Sequence, residues 1–407
     1  MVPDKWKTLP LSEVCDEKIS YGIVQAGPHI EGGVPYIKSS DLNAEIDHAT
    51  LQRTSEEIHK KYIRSAVHPG DIVFSLRGNI GACRILPESI PVANLTQGTA
   101  RISIKPGLSA DFFKHQLTSQ TLIKSILEKA KGSTFQEISL DSLRKLHILV
   151  PPPTEQKKIA KILSTWDQAT TIAEQLLFSS QQQRKALMQQ LLSGKQRLHG
   201  FSKEWRSVKL NQLFSRVTTK NTEANTNVVT ISAQHGLIRQ DDFFKKTVAS
   251  EILDNYFLLH KGQFAYNKSY SNGYPMGAIK RLKLYEKGVV TTLYICFEVS
   301  DADKCCAKFF EYYFESGLLN KGLSKVANEG GRAHGLLNVK PSDFFSLTVF
   351  VPCVEEQQKI ASVLDAADRE VKTLQQQLAS LKQEKRALMQ QLLTGKRRVK
   401  VDAPETA

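Results

Sequence analysis

Arg184-Lys-Ala-Leu-Met-Gln-Gln-Leu-Leu-Ser-Gly-Lys195 returns almost letter for letter as Lys385-Arg-Ala-Leu-Met-Gln-Gln-Leu-Leu-Thr-Gly-Lys396, 201 positions later. A second block keeps the same displacement: Thr154-Glu-Gln-Lys-Lys-Ile-Ala-Lys-Ile-Leu163 against Glu355-Glu-Gln-Gln-Lys-Ile-Ala-Ser-Val-Leu364. Two separate blocks in one register mark an internal duplication. The segments ahead of them match loosely. Trp6-Lys-Thr-Leu-Pro-Leu11 faces Trp205-Arg-Ser-Val-Lys-Leu210 at 199, and Gly70-Asp-Ile-Val-Phe-Ser75 faces Gly262-Gln-Phe-Ala-Tyr-Asn267 at 192. The plan is a divergent domain, a near-identical segment, a second divergent domain and a second near-identical segment.

Within the near-identical segments, positions 159, 163, 166, 170, 173, 177, 180, 184, 187 and 191 read Ile, Leu, Trp, Thr, Ala, Leu, Ser, Arg, Leu, Leu. The same frame from 360 to 392 reads Ile, Leu, Ala, Val, Leu, Leu, Leu, Lys, Leu, Leu. Alternating steps of four and three are a heptad seam and predict a coiled coil. Thr170, Ser180 and Arg184 weaken the first seam and leave its continuity open. Pro151-Pro-Pro153 and Pro352 precede the helices, Thr154 is placed to cap, and Glu155 and Glu356 lie in first turns where the macrodipole favours acid. Gly194 and Gly395 end them. Each helix of roughly 40 residues is roughly 60 Å long, against a radius of gyration near ~15 Å for a domain of about 150 residues. Rods that outrun their domains bury their seams against each other. A generic dimerising coiled coil leaves unexplained why Gln156, Gln189 and Gln190 recur off the seam as Gln357, Gln390 and Gln391.

The 407 residues carry 55 Lys and Arg against 41 Asp and Glu, a net charge of +14, which points to a polyanionic partner, nucleic acid before membrane. The excess is spread as +2 over 1–150, +4 over 151–199, +6 over 200–350 and +2 over 351–407. The apolar runs are short, so no transmembrane span or signal peptide is expected and the location reads as cytoplasmic. Six cysteines without a C-x-x-C pair read as small buried hydrophobes of a reduced protein.

Short β-rich runs such as Asp71–Ser75, Ala100–Ile104, Asn227–Ile231 and Leu293–Val299, followed by helical stretches Asp111–Lys131 and Lys304–Ser316, predict an α+β domain used twice. After the Gly70 and Gly262 landmarks stand two polar glycine-containing loops. The first carries Ser75, Arg77 and Asn79, with Arg84 just beyond, and the second carries Tyr266, Asn267, Lys268 and Tyr270. Arg pairs with guanine, Asn with adenine, and Lys or Tyr with phosphate or base face, so these are candidate DNA contacts, although each alone also suits a solvated turn. Lys131-Gly-Ser133 and Gly330-Gly-Arg332 form a second matched pair, adding Lys131 and Arg332.

With these strings in hand, the whole chain resembles the specificity subunit of a type I DNA restriction-modification system. The resemblance is carried by Pro-Pro-Thr-Glu155-Gln156-Lys-Lys-Ile-Ala, Glu356-Gln357-Gln-Lys-Ile-Ala, the two Ala-Leu-Met-Gln-Gln-Leu-Leu-(Ser/Thr)-Gly-Lys runs, and Gly200-Phe-Ser-Lys-Glu-Trp205. It implies target-recognition domains at 1–150 and 200–350, conserved-type helices at 151–199 and 351–400, and a tail at 401–407. It further implies a pseudo-two-fold internal repeat, in which two similar recognition domains are separated by a pair of long antiparallel coiled-coil helices. Each domain would read one half of a bipartite double-stranded DNA target. The helix pair would set the spacer and offer Glu155, Gln156, Gln189, Gln190, Glu356, Gln357, Gln390 and Gln391 to two modification (methyltransferase) subunits. Restriction (nuclease/translocase) subunits are a further candidate partner.

No catalysis is expected in this chain. The only Pro-Pro, at 151–153, lacks a following aromatic, Gly194-Lys195 and Gly395-Lys396 lack the rest of a phosphate loop, and the histidines show no metal spacing. S-adenosylmethionine, ATP and Mg are expected on partner chains, and no cofactor or metal here. The competing reading is a coiled-coil adaptor or scaffold whose domains bind protein.

Overall fold

The computed structural model describes residues 3–130, 132, 136–244, 253–329 and 337–400. The chain divides into two units, one of residues 1–175 with 376–407, the other of residues 176–375. Each unit holds one divergent domain, the first half of the long helix that follows it and the second half of the other long helix.

The central helix, Pro153–Leu192, runs unbroken for 40 residues and the C-terminal helix, Val354–Leu392, for 39. Thr154 therefore lies inside the first turn and does not cap it; Pro153 opens the helix, where a missing N–H costs nothing. Gly194 and Gly395 stop the helices in the left-handed region, at φ +71° and +70°. A Cβ on Gly395 would stand 2.3 Å from the Pro3 ring. All ten seam positions in each helix are buried or half-buried, so the polar residues do not interrupt the first seam. Thr170 returns its hydroxyl to the Trp166 carbonyl at 2.8 Å. In the first unit Glu155 meets Arg398, Asp167 meets Lys385 and Glu174 meets Lys382. In the second, Arg184 meets Asp368 and Arg197 meets Glu356. As numbers rise along one helix they fall along the other, so the halves paired within each unit are antiparallel.

Each divergent domain is built on a four-stranded antiparallel sheet of one topology. In the first unit the order is Ser20–Tyr21, Thr99–Ile102, Ile72–Ser75, Cys83–Ile85; in the second it is Phe214–Val217, Ile295–Val299, Phe264–Asn267, Ala278–Arg281. Strand alternation sends side chains to two cores. Ile72 and Phe74 join one cluster while Val73 joins another; Phe264 and Tyr266 join one while Ala265 joins another. One core of each unit is completed by the long helices: Ile159, Leu163, Met389 and Leu392 in the first unit, and Ile360, Leu364, Met188 and Leu191 in the second. The first turns of one helix and the last turns of the other are thus inside a domain core, which a simple free-standing strut would not require. The strand after each opening Trp closes the domain by pairing with the strand before the long helix, Lys7–Pro10 with His147–Val150 and Arg206–Lys209 with Thr348–Val351.

The outer layers diverge. The first unit places Val34–Ile37 between Gln52–Thr54 and Asn94–Leu95, whereas the second uses two separate two-stranded pairs. The stretch read as one helix from Asp111 is two, Ala110–Leu117 and Gln120–Lys129, because the Ser119 side chain caps a fresh start at Leu122. The α+β class and its repetition stand as expected. The six cysteines are free, and burial pushes the thiols of Cys15, Cys83, Cys296 and Cys305 up to about 12.

His115 is sealed under the central helix at 2% exposure, its Nε2 3.4 Å from the Ser164 hydroxyl. Burial first, then the neighbouring Lys114 charge, lowers its pKa from 6.5 to about 4. A depressed folded value favours the neutral ring. The stability it contributes is present above the unfolded pKa and is lost as pH falls from 6.5 toward 4, by up to about 3 kcal/mol. The second unit carries Tyr312 at the matching place. Thermal melts at pH 7 and pH 5 should accordingly show an acid loss confined to the first unit, which His115→Tyr removes.

Candidate nucleic-acid interface

The two predicted loops sit at the same end of the same strand. Gly70 and Gly262 both have positive φ, and their N–H groups donate to the Leu86 and Leu282 carbonyls. The next side chain repeats too, with Asp71 accepting from the His68 amide at 2.9 Å and Gln263 from the His260 amide at 2.7 Å. Beyond the strands, the Leu76 and Lys268 carbonyls accept from the Ile138 and Leu337 amides. The landmarks inferred from sequence are therefore structurally equivalent.

In the first unit Ser75 is fully buried and spends its hydroxyl on the Arg77 carbonyl at 2.9 Å. It shapes the loop and cannot reach a base. Arg84 donates to the Ala44 and Cys83 carbonyls and lies near Glu45, so it too is committed within the chain. Asn79 is exposed but donates to the Asn43 side chain at 2.7 Å. Arg77 is exposed and makes no ion pair among the described residues. Its side chain runs along Gly98, where a Cβ would stand 2.9 Å from Arg77 Nε. It opens onto a cleft of about 710 Å³, also lined by Lys38, Ser39, Gln97, Gln136 and Glu137. Lys38 Nζ and the Tyr36 hydroxyl both donate to Gln52 Oε1, at 3.2 and 2.6 Å. Arg, Gln and a carboxylate together match guanine, adenine and cytosine edges respectively. Lys38, Gln97 and Gln136 carry no local motif; they come from separate segments that meet only in the fold.

In the second unit Tyr266 is fully buried, stacked on Phe344 at 5.3 Å, with its hydroxyl donating to the Met276 carbonyl. It is a core residue, and burial holds its hydroxyl protonated. Asn267 accepts from the Ser269 amide at 3.1 Å and stiffens the turn. Lys268 occupies the place of the buried Leu76. Half-buried, with burial lowering its pKa, it makes no ion pair among the described residues. Tyr270 is 61% exposed, and Leu293, at the place of Gly98, is equally so. Lys131 and Arg332 lie outside the described residues.

The repeated glutamates and glutamines divide sharply. Glu155, Gln156, Glu356 and Gln357 are buried and spent within the chain. Glu155 accepts from Trp6 Nε1 and from Arg398 at 2.9 and 2.5 Å; Glu356 accepts two bonds from Arg197 at 2.6 and 2.7 Å. Gln156 binds the Ser109 amide and Pro151 carbonyl, and Gln357 the Cys306 amide and Pro352 carbonyl. These four join domain to helix, which accounts for their repetition, and they are not available to a partner. Gln189, Gln190, Gln390 and Gln391 remain exposed. In the first unit Gln390 borders a groove of about 630 Å³ lined by Leu149, Met389 and Leu393 and rimmed by Lys385 and Arg386.

The family description "Type I restriction modification DNA specificity domain" matches twice, over residues 3–178 and 202–383. The chain belongs to this family. It is 28% identical over 165 residues to the type I restriction enzyme EcoBI specificity subunit of Escherichia coli, a match covering 40% of this chain but only 35% of that one. Against the MjaVIII specificity subunit of Methanocaldococcus jannaschii the identity is 22%, covering 98% of this chain and 94% of that one. The fold matches the crystal structure of a type I restriction-modification S subunit from M. genitalium with a TM-score of 0.57 at 16% identity, over 96% of each chain. No helix among the described residues is long and apolar enough to cross a membrane.

Proposed function

We propose that this chain is the sequence-specific DNA-binding subunit of a type I restriction-modification complex, acting from the cytoplasm. Each recognition domain reads one half of a bipartite duplex target, and the helix pair sets the spacer between the halves. The observation that carries this reading is that one sheet and one set of helix joints is built twice, while the loops at the strand ends differ. A common frame bearing unlike loops suits two half-sites of unlike sequence. The protein-scaffold alternative is set aside by the family match.

Arg77, Lys38 and Gln97 of the first domain, and Lys268 and Tyr270 of the second, are the proposed DNA contacts. The exposed Gln189–Gln190 and Gln390–Gln391 surfaces, with the basic-rimmed groove beside Gln390, are the proposed seats for two modification subunits. S-adenosylmethionine, ATP and Mg belong in this reading to partner chains, restriction subunits among them.

Co-expression with the modification subunit followed by genome-wide mapping of methylated positions tests the proposal. A split, asymmetric motif is the expected result, and a continuous motif or none counts against it. Arg77→Ala should weaken binding by about 1–3 kcal/mol and relax specificity at one position of one half-site. Lys38→Ala, which removes an ammonium suited to phosphate, should lower affinity evenly across sequences and reduce the salt slope by about one. Titrations against duplexes with single changes in either half-site separate the two.

A further inference from the structure

The seam carries one charged residue in each helix, Arg184 in one and Lys385 in the other, 201 positions apart, and both have the same use. In the first unit Lys385 bonds Asp167 of the central helix, and Asp167 also lies 3.5 Å from Lys114 and 3.8 Å from His115 on the domain helix Ala110–Leu117. In the second unit Arg184 bonds Asp368, whose other oxygen accepts from the Tyr312 hydroxyl at 2.8 Å, on the domain helix Ala307–Glu315. Asp167 and Asp368 are themselves in the register of the duplication. Each acid therefore ties three elements together: its own helix, the antiparallel helix and the recognition domain.

Each also has a companion. Twelve residues earlier Glu155 and Glu356 accept from Arg398 and Arg197, which lie just beyond the end of the other helix, and the next residues, Gln156 and Gln357, accept from the domain amides of Ser109 and Cys306. Twelve residues are roughly 18 Å along a helix. On the helix that follows each domain the shared core reaches Leu163 and Leu364, and the acid four residues on extends the hold by a further turn, which resists rocking of the domain about that core. The acid–base pair is kept in both units while the domain-side partner changes from Lys114 and His115 to Tyr312, so the shared element is the tie itself and not a particular packing.

We propose that Asp167 and Asp368 are positioning residues that lock the angle at which each recognition domain is carried on its helix pair, and so decide how narrowly the half-site spacer is defined. This rests on the two-reader function proposed above. Helix length sets the mean spacer; these ties set its tolerance.

The test uses the full chain co-expressed with its modification subunit, comparing the unaltered protein with Asp368→Asn and Tyr312→Phe. Tyr312→Phe keeps the ring in the core and deletes one hydroxyl, so it carries the test alone should Asp368→Asn not fold. Methylation at sites whose spacer is one base pair longer or shorter should rise about tenfold, the size of one charge-assisted hydrogen bond, with half-site sequences unchanged. Tyr294→Phe, which removes a hydroxyl 3.2 Å from Thr230 in the same unit, should leave the spacer as narrow as before. An unchanged single spacer in Tyr312→Phe, or altered half-site bases, overturns the inference. Absence of any split motif with the unaltered protein overturns the function it rests on, a separate failure.

Discussion

Replacing Arg197 with alanine should destabilise the second unit by about 3–5 kcal/mol, the usual cost of stripping the partner from a buried charge. The Glu356 side chain is wholly buried, while the Arg197 side chain keeps 28% exposure, which places the expected loss toward the lower end of that range. The corresponding pair in the first unit has a second donor, since Trp6 Nε1 reaches Glu155 at 3.3 Å, whereas Trp205 Nε1 has no partner among the described residues. Arg398→Ala should therefore cost less than Arg197→Ala. Urea unfolding of the full chain, followed by hydrogen exchange within each unit, measures both. The double replacement of Arg197 and Glu356 by Met and Leu should recover most of the loss, because an apolar pair leaves no charge to desolvate. A loss below about 1 kcal/mol for Arg197→Ala, the level of a surface pair, would show that the clamp contributes little.

Adding one heptad at matching points of both long helices should lengthen the tolerated spacer by about one to three base pairs while leaving both half-sites unchanged. Seven residues return the seam to its own frame, so the apolar pairing survives, and they extend the rods by about 10 Å. That rise equals about three base pairs at ~3.4 Å each. Each added base pair also turns the far half-site by roughly a tenth of a turn, which one added heptad does not reproduce, so full use of the length is resisted. Insertion of two residues, which breaks the seam, should abolish methylation instead. Genome-wide methylation mapping reads all of these; an unchanged spacer after the heptad insertion would remove the ruler from the proposal.

Much of this architecture was legible because it is periodic. The 201-residue register, the heptad frame and the glycines that end each helix are local patterns, and local patterns need no knowledge of what lies across the fold. The pairing of Gly70 with Gly262 was legible for a similar reason, since a positive-φ turn before a buried strand leaves a short signature in both copies. Individual site residues were harder. Ser75 and Tyr266 look like loop side chains, yet each lies within a strand, on a face whose other residue is also buried. Glu155 and Glu356 looked like surface acids at helix starts, and only the arrival of Arg398 and Arg197 from the far end of the other helix makes their burial tolerable.

Sequence by itself determined that the chain is doubled, that each copy carries an α+β domain and a long heptad helix, and that net charge favours a polyanion. Tertiary structure decided which side chains are spent inside and which are left for a partner. The physical reason is that repetition and helical period act between neighbours in the chain, whereas burial and the satisfaction of a charge depend on residues such as Glu155 and Arg398 that are 243 positions apart.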